Sequence, residues 1–193
     1  MLMKWPSPGK SDAMPIGPVL ETPRLILRPP QAEDFDGFCA LAADPEASRF
    51  IGGLQPRESV WRALCTVTGA WSIRGFSMFS VIEKESGHWI GRLGPWQPDG
   101  WPGTEVGWGL LKSAWGKGYA LEGASAAMDY AVDILGWNEI IHCIEAENAP
   151  SIRVAERLGS AKLRVSPAPP PFKDVVWDIY GQSADDWRAR RGA

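Results

Sequence analysis

The succession of segments along the chain predicts an α/β fold in which helices cover a mixed sheet. Two observations carry this expectation. Short apolar runs bounded by Gly and Pro recur as strands, and between them lie stretches whose apolar residues fall three and four apart, the period of a helix. The first strand is Arg24–Arg28, held between Pro23 and Pro29. Phe35, Phe38, Cys39 and Ala42 place a helix over 32–43 that Pro45 stops, and a second helix is expected from Arg57 to Trp71. Phe76–Glu83 reads as a strand, and Ser86-Gly87 turns the chain so that His88–Leu93 returns antiparallel to it. Pro95–Gly103, rich in Pro and Gly, is expected to be a connection, with Thr104–Leu111 as the next strand.

Gly116–Leu135 has the longest helical pattern. Ala120, Ala124, Ala127, Met128, Ala131 and Leu135 share one stripe whose small side chains allow close packing on a sheet, and Gly136 stands just past its end. Ile140–Ala146 is a strand. Asn148-Ala149-Pro150 then opens a helix with apolar Ile152, Ala155 and Leu158 before Gly159. Two strands near Lys162–Val165 and Asp174–Tyr180 and a short helix from Ala184 complete the order. Residues 1–18 carry four prolines and little apolar periodicity, so they read as a flexible leader to a single domain spanning 19–193.

A chain of 193 residues with 45% hydrophobic content is long enough to bury one full core. A formal charge of -3 leaves no basic excess to attract a phosphate backbone, so nucleic acid is not expected as a partner. Cys39, Cys65 and Cys143 are odd in number and widely spaced, which argues against a disulfide framework and a structural metal site. The start lacks the apolar run of a signal peptide and no stretch suits a membrane span, so a cytoplasmic protein that does not bind membranes is expected. Most of the eleven tryptophans are expected in the core or in the wall of a cleft.

A strand ending at Leu111, a Gly-containing turn and a helix opening at Gly116 form an anion site, because the first turn of a helix offers unpaired N–H groups and a partial positive charge. An ordinary strand-to-helix turn is the competing interpretation. Gly116 and Gly118 let a ligand lie against the backbone, and Lys117 adds a cation at the rim. Two phosphate motifs fail on spacing: Gly9-Lys10-Ser11 has Lys4 where a P-loop needs its first Gly, and Leu121 stands where a dinucleotide fingerprint needs its third.

A third motif fits. Ser113–Gly118 followed by Tyr119-Ala120-x-Glu122 resembles the coenzyme A signature of the GNAT superfamily of N-acetyltransferases, in particular the branch that acetylates ribosomal-protein N-termini. Thr104–Trp108 resembles that branch's fourth strand, and the segment from Asn148 to Gly159 its next helix. The resemblance covers roughly 21–187 and departs at Ser113, where Gln or Arg is commoner, and at Ala155, where many members carry a proton-donating tyrosine. It implies a mixed, mostly antiparallel central sheet flanked by helices, with acetyl-CoA as co-substrate and no metal. It also implies that the pyrophosphate rests on Trp115, Gly116, Lys117, Gly118, Tyr119 and Ala120, and the pantetheine arm on backbone groups of Trp108, Leu110 and Leu111. Asn148 would hold the cofactor or an ordered water, or simply cap its helix.

Acyl transfer needs a neutral amine, yet with a pKa near 10.4 only about one lysine-like amine in two thousand is neutral at pH 7, a cost of about 4 to 5 kcal/mol. Glu105 is the candidate base, against a plain exposed strand carboxylate; Glu145, Glu147 and His142 are rivals, and His88 a weaker one. With no tyrosine at position 155, Ser151 is the candidate acid for the departing thiolate, against a helix-capping role. The expected function is N-acetyl transfer to a primary amine, a small molecule or a protein N-terminus, by direct attack in a monomer or homodimer. A non-catalytic acyl-CoA sensor is the alternative, and a nucleotide-binding oxidoreductase a third.

Overall fold

The computed structural model describes residues 16–169, 172 and 174–192. Of the expected leader only residues 16–18 fall within this range, and Gly17 already lies against the Trp71 ring. The eight strands are β1 (Leu20–Glu21), β2 (Leu25–Arg28), β3 (Phe79–Glu83), β4 (Trp89–Trp96), β5 (Glu105–Leu110), β6 (Glu139–Ile144), β7 (Ala161–Pro167) and β8 (Val176–Ser183). The helices are α1 (Phe35–Ala43), α2 (Arg57–Arg74), α3 (Tyr119–Asp133), α4 (Ala149–Leu158) and α5 (Ala184–Arg191). The strands form one sheet in the order β1-β2-β3-β4-β5-β6-β8-β7, and β5–β6 is the one parallel neighbour pair. This is the mixed, mostly antiparallel sheet with flanking helices that the sequence predicts.

The small stripe of α3 explains how close that helix sits. Ala124, Ala127, Met128 and Ala131 are fully buried against Leu25, Leu27, Phe79 and Leu93. A Cβ at Gly123 would lie 2.5 Å from Leu93 Cδ2, so any larger residue would push helix and sheet apart. On the opposite face α1 and α2 bury Phe38, Val60 and Leu64 in a second cluster with Trp89.

Several boundaries differ from expectation for local reasons. α3 starts at Tyr119 instead of Gly116, because Gly116 (φ 74°) and Gly118 (φ 81°) are left-handed and keep the backbone out of the helix until position 119. It ends at Asp133, where Leu135 N–H bonds Tyr130 O, Trp137 N–H bonds Ala131 O, and left-handed Gly136 turns the chain away. β4 runs on through Pro95 into the expected connection. Its partner β3 has ended at Phe79, opposite Leu93, so Pro95 lies in a stretch with one open side, where a missing N–H is tolerated. β6 ends at Ile144 instead of Ala146, because Asn148 N–H bonds Glu145 O in a turn that leads into α4.

Candidate active site

The single parallel junction shapes the site. β5 and β6 pair only at Glu105 and Ile141, with Ile141 N–H on Thr104 O at 2.9 Å, and beyond that point they diverge. His142 stands where they part. Its Nδ1 lies 2.7 Å from Val106 O, occupying the carbonyl that would otherwise extend the ladder, and its ring packs 5.0 Å from Trp108. A carbonyl can only accept, so Nδ1 carries the proton and Nε2 takes the Ser160 hydroxyl at 3.0 Å; Gln182 Nε2 in turn donates to Ser160 Oγ. Burial pushes the His142 pKa down to about 4, so the ring is neutral with both nitrogens engaged. It is a wedge between strands, not a free base.

Strand alternation then decides which backbone groups face the gap. Leu111 N–H is taken by Ile90 O at 2.8 Å and Leu111 O by Ala114 N–H at 2.9 Å. Leu111 thus spends its N–H on β4, and its carbonyl, which accepts one bond from the turn, keeps a second lone pair. Val106, Trp108 and Leu110 face the other way: Val106 O meets His142, Leu110 O accepts from Trp115 Nε1 at 2.9 Å, and Trp108 N–H and C=O border the open gap.

Beyond β5 the chain makes the expected strand-to-helix turn. The first backbone bond of α3 is Glu122 N–H to Gly118 O at 3.1 Å, and among the described residues the N–H groups of 116–121 have no protein acceptor. Six such groups at the positive end of a 15-residue helix form an anion cradle. Arg24, just before β2, forms an ion pair with Glu122 at 2.6 Å, donates to Lys117 O at 2.9 Å and lies 4.6 Å over the Tyr119 ring, so it ties β2 to this turn with its charge matched by that carboxylate. Tyr119 itself donates its hydroxyl to Glu83 at 2.6 Å, so only its backbone is available to a ligand.

A cleft of about 450 Å³ opens at the divergence of β5 and β6, and Glu105, Trp108, Asn148 and Ser151 all line it. The turn at 115–120 lies outside it, at the far end of β5. Glu105 is 6% exposed; its Oε2 accepts from Trp101 Nε1 at 2.6 Å and its Oε1 from Cys143 N–H at 3.0 Å. The latter is the amide that the His142 wedge leaves without Val106 O. Burial pushes the Glu105 pKa up to about 7, against the opposing pull of those two donors and of the Arg92 guanidinium. Of the rivals, Glu145 and Glu147 do not line the cleft, and His88 is exposed at the turn between β3 and β4.

Ser151 N–H donates to Asn148 Oδ1 at 3.3 Å, so Asn148 caps α4. The Ser151 hydroxyl accepts from Trp108 Nε1 at 3.3 Å, which leaves its own proton free to donate. Ala155 is fully buried among Ile144, Tyr180 and Ile152. Of the tryptophans between Trp89 and Trp115, Trp96, Trp101 and Trp108 line the cleft, while Trp89 packs under α1 and donates to Ser80. Arg92, Phe172 and Trp177 also line it, none of them singled out by the sequence. For Arg92 the one available clue was a charge in the otherwise apolar and small run Ile90–Gly94.

A turn with free N–H groups thus stands at one end of β5, and a cleft with a buried acid where β5 and β6 part. The profile of the acetyltransferase (GNAT) domain family matches residues 24–161. This chain belongs to the GNAT acetyltransferases. Among relatives of this acetyltransferase is the uncharacterized N-acetyltransferase p20 of Bacillus licheniformis, 34% identical over 147 residues, 74% of this chain and 82% of that protein. The uncharacterized protein YkkB of Bacillus subtilis is 30% identical over 150 residues, 72% of this chain and 83% of its own. The crystal structure of an acetyltransferase from Agrobacterium tumefaciens superposes with a TM-score of 0.75 at 30% identity, covering 90% of this chain and 99% of that one. Family membership makes the protein an acetyl-CoA-dependent N-acetyltransferase and sets aside the oxidoreductase alternative. Among the described residues no helix is long and apolar enough to cross a membrane, and no cluster of His, Cys, Asp or Glu could hold a metal ion.

Proposed function

We propose that this GNAT acetyltransferase moves the acetyl group of acetyl-CoA to a primary amine by direct attack, with Glu105 as base and Ser151 as acid. The observation that supports this reading best is the carboxyl of Glu105, held at the mouth of the β5–β6 gap with a pKa near the working pH. The amine nitrogen bonds to the thioester carbon and gives its extra proton to Glu105. Trp108 N–H, facing the gap, supports the negative charge that develops on the carbonyl oxygen. The C–S bond then breaks, the thiolate takes the proton of Ser151, and the serine oxygen is reprotonated through cleft water by the proton that Glu105 received from the amine, so that amide and thiol leave with no net proton change. The cradle at 116–120 holds the pyrophosphate, with Arg24 and Lys117 beside it.

The acceptor is a small molecule or a protein N-terminus; the resemblance to the ribosomal branch is what favours the second. Cysteine usage favours a cytoplasmic site of action, and monomer and homodimer both suit the fold.

The pH profile tests the base. With the parent enzyme and a turned-over amine, kcat/KM rises through about pH 7 and then levels, as Glu105 loses its proton. Glu105→Gln lowers the rate at pH 7 by about 10² to 10⁴, and its profile keeps climbing toward the amine's own pKa. A folded variant with the parent's profile removes Glu105 from this role. Acetyl-CoA binding without thiol release for any amine would favour the sensor alternative.

A further inference from the structure

Arg92 is a cation lining the cleft that acts on Glu105 through space but is in direct contact with no carboxylate among the described residues. It stands on β4 opposite Gly109 and lines the cleft with Glu105, yet it forms no ion pair with any carboxylate among the described residues. Among the described residues its one side-chain hydrogen bond is from Nη1 to the thioether of Met78 at 2.7 Å, and a thioether is a weak acceptor. Ser77 Oγ is the only buried polar side-chain atom without a partner among the described residues, so the remaining donors of Arg92 reach open space. Arg92 borders that space in the cleft and in a pocket of about 50 Å³ behind it, which has room for water alone. A guanidinium presents a planar fork that matches a carboxylate, and withdrawing one from bulk water is costly unless an anion faces it.

The rest of the cleft limits what else the ligand carries. Trp96, Trp101, Phe172 and Trp177 form a continuous aromatic wall, with Trp101 and Trp177 ring centroids 4.9 Å apart and Trp101 and Phe172 6.2 Å apart. Asp99 and Glu105 are the cleft's two carboxyl groups, and Asp99 is exposed. A polycation would find one buried acid, already assigned to the reacting amine, and would meet Arg92.

We propose that Arg92 receives a carboxylate of the acceptor while Glu105 receives its amine, so that the substrate is an apolar or aromatic amine carrying one carboxylate, the chemistry of a free apolar amino acid. This rests on the assignment of Glu105 to the amine. Catalysis needs the base; choice of substrate needs the fork.

Matched pairs that differ only in the carboxylate test it: phenylalanine against phenethylamine, tryptophan against tryptamine, leucine against isopentylamine, each with acetyl-CoA and with thiol release as the readout. In the parent, kcat/KM for the carboxylate-bearing member exceeds its partner's by about tenfold or more, and spermidine is a poor acceptor. In Arg92→Met the ratio falls to about one, and Arg92→Lys retains part of it. Because each ratio is taken within one enzyme, a change in Glu105 basicity or in general stability cancels. A parent ratio of one or less in all three pairs overturns the proposal whether or not the variants fold, and so does a ratio that Arg92→Met leaves unchanged. The same pairs titrated against the CoA-saturated protein by tryptophan fluorescence separate the two failures. Preferential binding of the carboxylate-bearing members without thiol release sinks the transferase mechanism and keeps the Arg92 assignment, whereas equal binding sinks the assignment.

Discussion

Glu105 and Ser151 acquire their chemistry from what their neighbours leave free. The two oxygens of Glu105 each accept one hydrogen bond, from Trp101 and from Cys143, and each keeps a lone pair for a substrate proton. Ser151 accepts from Trp108 and caps nothing with its hydroxyl, since the cap of α4 is Asn148. Ser151→Ala is therefore expected to lower the single-turnover rate by about tenfold or more with little change in acetyl-CoA affinity, because its proton is needed only as the thiolate departs. Its melting temperature should stay close to the parent's, as no capping hydroxyl is lost. An unchanged single-turnover rate would assign the proton to solvent water. That Glu105 and Ser151 belong together was legible from the motifs that carry them. That His142 is a wedge was not, because its role depends on Val106 and Ser160, 36 and 18 residues away.

At the scale of elements, the decisive piece is the turn between β5 and α3. Gly116 and Gly118 adopt left-handed conformations that delay the helix, and the six N–H groups of 116–121 have no acceptor among the described residues. Gly118→Glu adds a side chain to a strained backbone position and a negative charge where the phosphates would rest. In the parent, acetyl-CoA at about 100 times its Kd contributes about 2.7 kcal/mol, which for a domain of this size raises Tm by roughly 5 to 10 °C. A folded Gly118→Glu protein should lose most of that shift in a thermal melt. A full shift in the variant would place the pyrophosphate elsewhere. The sequence announced this turn through its glycines, but it placed the helix start three residues early, because left-handed φ values are a property of the folded backbone.

For the molecule as a whole, two buried groups bend the pH dependence of stability in opposite directions. Glu105, raised from 4.5 to about 7, holds a proton in the folded state that the unfolded chain releases, so its contribution is full below about pH 4.5 and is lost as pH rises through 7. His142, lowered from 6.5 to about 4, does the reverse: its contribution is full above about 6.5 and is lost as pH falls through 4. Between these limits the two slopes, each of at most about 1.4 kcal/mol per pH unit, oppose each other in the parent. Glu105→Gln removes one of them. Its stability, measured by urea unfolding at several pH values between about 4.5 and 6.5, should climb with pH by about 1 kcal/mol per unit relative to the parent. Parallel curves for the two proteins would show that Glu105 titrates near its ordinary value.

The sequence by itself determined the layered fold, the helix and strand order, the cofactor turn and the two acid–base candidates, since these depend on local period, on glycine and proline, and on short motifs. Tertiary structure alone decided the rest. Where β5 and β6 part, an imidazole from one strand takes a carbonyl of the other, and the Leu111 N–H is spent on β4. The Glu105 pKa rises to about 7 because residues from β4, β6 and the loop before β5 close over it and exclude water. Arg24 and Arg92 reach the site from strands distant in sequence, and hydrogen-bond partners and desolvation across such separations are fixed only when the sheet assembles.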